Sequence, residues 1–166
     1  WQKDAEPYFT VYNLLIYQMN LPISKVLLID DDEDDCMVFK LALAEVDASI
    51  KLIYSNTCET VSELLASTKP DLIFLDINLP RVNGIECLEK TLSSFTGNKV
   101  PVIMYSSSEM PKDLTESYEL GAALYFRKPN NITNLIESLK KILAMDWEKR
   151  SLIHKEYYND GNFLTI

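Results

Sequence analysis

Strand and helix signals alternate five times along this chain, which predicts an α/β domain with one parallel sheet covered by helices on both faces. Three observations carry that expectation. Five short apolar runs recur between Lys25 and Phe126, longer segments with helical spacing separate them, and unusual polar residues stand where several of the runs end. Runs that are apolar on successive residues suit parallel strands buried on both faces. Each crossover between such strands should be right-handed.

The first run is KVLLI, from Lys25 to Ile29, followed by a weakly amphipathic segment in which Val38, Leu41 and Ala42 form the expected core stripe. IKLIY then leads into Val61, Leu64 and Leu65, and DLIFL into Ile85, Leu88, Leu92 and Phe95. After VPVIMY comes a segment opening at Pro111, and AALYF precedes the strongest stripe, Ile132, Leu135, Ile136, Leu139, Ile142 and Leu143. The domain is expected over residues 25–145. Residues 1–24 form an extension of uncertain structure, with Met19 the expected point where translation starts. Residues 146–166 form a tail able to continue the last helix or to bind a partner.

Composition narrows the function. With 166 residues, 47% hydrophobic and 25% charged, the chain is long enough for one domain with a core. A net charge of −9 argues against direct nucleic-acid binding, which needs clustered Lys and Arg. No apolar run reaches the ~18 residues a membrane span requires. The opening stretch lacks a basic leader and a cleavage site, so a cytoplasmic protein is expected. Cys36, Cys58 and Cys87 form no CxxC pair and the chain has one His, so zinc is not expected and the cysteines should be reduced.

In a parallel sheet the ligand site lies beyond the carboxyl ends of the strands. The first strand ends in six consecutive acids, Asp30 to Asp35. Such crowding raises carboxyl pKa values unless a cation is present. Capping of the next helix by Asp34 or Asp35 explains part of the run, but not carboxylates at the strand's own end. Asp76 ends the third strand after four apolar residues, an expensive place for a lone carboxylate. Pro80 and Gly84 then mark a loop into the next helix. Asp30, Asp31 and Asp76 together would offer the hard oxygen ligands that suit Mg²⁺. Ser106 adds a hydroxyl at the fourth strand end, and Lys128, before Pro129, an ammonium at the fifth. That set could hold Mg²⁺ and a phosphoryl group, with Asp76 as nucleophile.

The strings LLIDD, DLIFLDINLPRVNGIE, PVIMYSSS and ELGAALYFRKP resemble, in order and spacing, the receiver domains of two-component response regulators across residues 25–145. The resemblance implies a flavodoxin-like, CheY-like sheet of order 2-1-3-4-5. It implies that Asp76 accepts the phosphoryl group, that Asp30 and Asp31 hold Mg²⁺, and that Asn78 gives the metal a backbone carbonyl. Ser106 matches the switch hydroxyl, Lys128 the lysine that pairs with phosphoryl oxygens, and Tyr125 the aromatic that turns inward on activation. Implied partners are a sensor histidine kinase or a histidine phosphotransfer protein and a downstream target protein, with neither nucleic acid nor membrane bound directly. The output face would lie around residues 111–127.

Two other readings lack their signatures in this chain. A haloacid-dehalogenase-type phosphatase needs Thr or Val at the fifth position of its motif, where this chain has Asp34. A non-phosphorylated pseudo-receiver scaffold usually lacks the nucleophile, an acid or the lysine, all present here. The 21 residues after the core are too few for a winged helix, so the signal is expected to leave through protein contacts.

Overall fold

The computed structural model describes residues 23–95 and 100–147, together with two short paired segments, Tyr158–Asn159 and Asn162–Phe163. Five strands, β1 (Lys25–Ile29), β2 (Lys51–Ser55), β3 (Leu72–Leu75), β4 (Val102–Ser106) and β5 (Leu124–Arg127), form one parallel sheet in the order β2-β1-β3-β4-β5. Between and after them run α1 (Glu33–Val46), α2 (Val61–Thr68), α3 (Gly84–Ser93), α4 (Pro111–Leu120) and α5 (Ile132–Leu143). This is the doubly wound, flavodoxin-like arrangement that the alternation of signals implies.

Strand side chains alternate between faces, so each strand feeds two cores. Val26, Leu28, Leu72 and Phe74 pack under α1 and α5 with Phe39, Tyr105, Phe126, Leu135, Leu139 and Ile142. Leu27, Ile29, Ile73 and Leu75 pack on the other side with Val61, Leu65, Leu88, Met104 and Tyr125, under α2, α3 and α4. The continuous apolar runs are thus explained by burial on both faces.

Helix ends follow the local chemistry. Asp32, not Asp34 or Asp35, caps α1, its side chain accepting hydrogen bonds from the backbone N–H groups of Asp34 and Asp35. Asn83 caps α3 and Asn131 caps α5 in the same way. Pro111 starts α4, and Gly121, with φ 101°, ends it in the left-handed conformation that glycine adopts without strain.

Three expectations need correction. In α1 the buried stripe is Phe39, Ala42 and Leu43, while Val38 and Leu41 are 41% and 56% exposed. α1 meets the sheet through its large aromatic, and hydropathy alone ranked the aliphatic neighbours too high. The cysteines are not all reduced: Cys58, in the loop after β2, and Cys87, in α3, form a disulfide, and only Cys36 is free. Their Cα atoms, 29 residues apart in sequence, come within 5.8 Å because the β2–α2 loop folds against α3. Finally, α5 ends at Leu143, and Tyr158–Asn159 pairs antiparallel with Asn162–Phe163, so these tail residues are strand and not helix. The expectations for residues 1–22, including a start at Met19, lie outside the described residues. Among those described, no helix is long and apolar enough to cross a membrane.

Candidate phosphoryl and metal site

The site lies at the carboxyl end of the sheet. Asp30 follows β1 and is held by its backbone N–H to the Ser55 carbonyl at 3.0 Å, and Asp76 follows β3 and is held to the Ile29 carbonyl at 2.9 Å. Parallel pairing of β1 with β3 therefore brings the two carboxylates side by side. Asp31 joins them: one carboxylate oxygen from each of Asp30, Asp31 and Asp76 lies within 4.8 Å of the others. Asp30 and Asp76 are buried and Asp31 is exposed. An all-oxygen donor set of this kind fits a hard divalent cation such as Mg²⁺ or Mn²⁺ and not a soft one.

Burial pushes the Asp30 carboxyl above its ordinary range, against the lowering effect of its hydrogen bonds from Lys128 and the Asp32 backbone. Two buried acids side by side need positive charge nearby. Lys128, placed at the end of β5 by its backbone N–H to the Ser106 carbonyl, supplies it. Its ammonium donates to Asp30 at 2.8 Å, Asp35 at 2.7 Å and Asp76 at 2.9 Å. Burial acts to lower the lysine pKa, but these three bonds outweigh it and hold the group well above its ordinary value. The Tyr105 ring adds a cation–π contact, its centroid 5.3 Å from the Lys128 Nζ.

Gly84 sets how closely α3 approaches Asp76. A Cβ there would meet the Asp76 carbonyl oxygen and the Ile77 Cα, each at 2.3 Å, and the Gly84 N–H donates to the Ile77 carbonyl. The loop between them, which includes Asn78, is thus tied at both ends. Asn78 donates its backbone N–H to Asp76 Oδ1 at 3.2 Å and its side-chain amide to Ser106 Oγ at 3.3 Å. Ser106, fully buried, also accepts from the Ser108 N–H.

The residues singled out in the sequence, Asp30, Asp31, Asp76, Asn78, Ser106 and Lys128, are therefore brought to one rim. Tyr125 is nearby but already inward: it is 1% exposed and its hydroxyl donates to the Ser108 carbonyl at 2.9 Å. Burial raises its pKa to about 12. The ring that the resemblance implies turns inward on activation is inward in this conformation. The bond to the β4–α4 loop and the apolar surroundings of the ring hold it there.

Two participants escaped the sequence reading. Asp35 reads as a helix-capping or solvated acid, yet it reaches Lys128, and nothing in its local pattern sets it apart from the surrounding acids. The Cys58–Cys87 bond borders a cavity of about 370 Å³ lined by Asp31, Asn56, Glu59, Pro80 and Arg81. Lys90 of α3 donates to the Cys58 and Glu59 carbonyls, and Arg81 in the lining pairs with Glu59.

Comparison with known proteins shows the family and the fold. The chain is 31% identical over 119 residues to the sensory transduction protein BceR of Halalkalibacterium halodurans, covering 72% of this chain and 49% of that one. The chain spans about half the length of the curated relatives it matches first. Among solved structures, that of the phosphorylated cyanobacterial phytochrome response regulator RcpA superposes with a TM-score of 0.66 at 28% identity, covering 72% of this chain and 91% of that one. The Mn²⁺-bound form of response regulator Rcp1 superposes with a TM-score of 0.64 at 26% identity, covering 76% and 95%. The sequence profile of the response regulator receiver domain matches residues 26–140, and the chain belongs to that family.

Proposed function

We propose that this chain is a phospho-acceptor switch in which Asp76 receives a phosphoryl group in a Mg²⁺-dependent reaction. The observation that carries the reading is the convergence of Asp30, Asp31 and Asp76 on one another and of Lys128 on Asp30 and Asp76. Asp30, Asp31, Asp76 and the backbone carbonyl of Asn78 would hold the cation. When bound, Mg²⁺ neutralises charge that develops on the transferring phosphoryl oxygens.

An Asp76 carboxylate oxygen attacks the phosphorus of a phosphohistidine on a sensor histidine kinase or histidine phosphotransfer protein. The O–P bond forms as the P–N bond breaks, and the electron pair leaves with the imidazole. Lys128 steadies the incoming oxygens by charge-assisted hydrogen bonds. The product is an acyl phosphate with roughly two negative charges at neutral pH. Ser106 accepts the bonds from Asn78 and Ser108, and its hydroxyl proton can turn to a phosphoryl oxygen.

Drawing Ser106 toward the phosphoryl group shifts the loop whose Ser108 carbonyl holds the Tyr125 hydroxyl. The site is thereby coupled to α4 and β5, the proposed output face for a downstream protein. The switch elements are Ser106 and a Tyr125 already held inward, so activation would lock a position and not create it. The chain's own chemistry is limited to gaining and hydrolysing this group, with Asn78 and Ser108 bordering the path of the attacking water. Residues 25–145 form the receiver, and the expected compartment is the cytoplasm.

The test is incubation with acetyl phosphate with and without Mg²⁺, read by intact mass. One added phosphoryl group is expected only with the cation, and none in Asp76→Asn. Labelling that survives Asp76→Asn, or that ignores chelator, would remove the assignment.

A further inference from the structure

We propose that Asp35 is a positioning residue that competes with the phosphoryl group for Lys128 and so restrains the loading of Asp76. The inference rests on Asp76 being the phospho-acceptor. An ammonium group has three N–H bonds, and Lys128 spends all three on Asp30, Asp35 and Asp76. A phosphoryl oxygen can take a donor only if one of these contacts loosens.

The three acceptors differ in freedom. Asp30 is fully buried, and its other carboxylate oxygen accepts the Asp32 N–H, so it is fixed. Asp76 is where the new O–P bond forms. Asp35 projects from the first turn of α1 with its side chain 41% exposed, and it stands outside the three converging carboxylates. It alone of the three can swing into water, since its side chain is part-exposed whereas the Asp30 and Asp76 side chains are buried. Asp35 is therefore the contact that yields. Until it does, its charge draws on Lys128 and opposes an anionic phosphodonor. It makes and breaks no covalent bond.

The experiment uses the full chain, saturating Mg²⁺ and limiting acetyl phosphate, with the labelling rate read by intact mass. Asp35→Asn should label roughly two- to fivefold faster than the wild type, the size of a modest ion-pair coupling. Asp35→Glu, which restores the charge, should return toward the wild-type rate. Asp34→Asn, which removes an equal charge from the same exposed helix turn, should leave the rate unchanged. In the metal-free, unphosphorylated protein, reductive methylation of the Lys128 amine should be faster in Asp35→Asn, a change that mere loss of a helix-turn charge would not produce. Equal or slower labelling in Asp35→Asn overturns the proposal, as does equal acceleration by Asp34→Asn. A wild type that does not label, or an Asp76→Asn variant that does, removes the underlying phospho-acceptor reading instead, and the two failures are thus distinct.

Discussion

Phe39, Phe74, Tyr105 and Phe126 interlock under α1 and α5, with ring centroids 4.9 to 6.5 Å apart. The side of the sheet under α2, α3 and α4 is filled by Leu, Ile, Val and Met around the single buried ring of Tyr125. Each side carries a buried hydroxyl without a hydrogen-bond partner, Tyr54 on the first and Thr91 in α3, but on the second side Tyr125 also reaches a loop carbonyl. The two sides do different work at the rim. Edge-to-face aromatic packing is directional and dense, and it holds the strands from which Asp30 and Lys128 emerge. Aliphatic packing with a few polar handles tolerates small shifts, and the loop after Asp76, Ser106 and Tyr125 all border it. A charge-sensing site needs both: fixed acids and lysine on one side, a movable reporter on the other.

The sharpest contrast should come from Gly84→Ala, on the movable side. Its Cβ would overlap backbone atoms at 2.3 Å, which no rotamer change relieves. Loss of more than about 4 kcal/mol of stability is expected in urea unfolding, since overpacking against rigid backbone exceeds the usual range. On the aromatic side, Phe74→Ala should cost about 3–5 kcal/mol, as for other large-to-small core substitutions, because Phe74 touches the rings of Phe39, Tyr105 and Phe126. A loss below about 1 kcal/mol would show that the rings do not act as one unit.

Reducing the Cys58–Cys87 bond should lower stability by about 2–4 kcal/mol, given the chain loop it closes. Thermal melts with and without a phosphine reductant measure this, and Cys58→Ala/Cys87→Ala should be insensitive to the reductant. Tyr125→Phe should have the smallest effect at neutral pH, about 1 kcal/mol for one hydrogen bond. At alkaline pH it carries a distinct signature. The folded phenol titrates at about 12 and the ordinary one at 10.0, so its contribution is complete below pH 10 and is lost as pH rises from 10 towards 12. Tyr125→Phe should flatten that part of the stability-against-pH curve, measured by denaturant unfolding; an unchanged slope would contradict the buried placement of the hydroxyl.

The parallel sheet was legible in the sequence because burial on both faces leaves apolar runs that no exposed strand would carry, and because acids at the ends of two such runs are costly unless they share a cation. Asp30, Asp31 and Asp76 could be picked out for that reason, whereas Lys128, ordinary by itself, gained its role from its place at a strand end and from the family resemblance. What only the tertiary structure decided were pairings between residues that look ordinary along the chain: Cys58 with Cys87, Asp35 with Lys128, and Phe39 in place of Val38 and Leu41 against the sheet. Tyr125 belongs with them, since a rotamer depends on which loop carbonyl is within reach. Local patterns report what each segment needs to bury, whereas such contacts arise only when segments far apart in sequence meet.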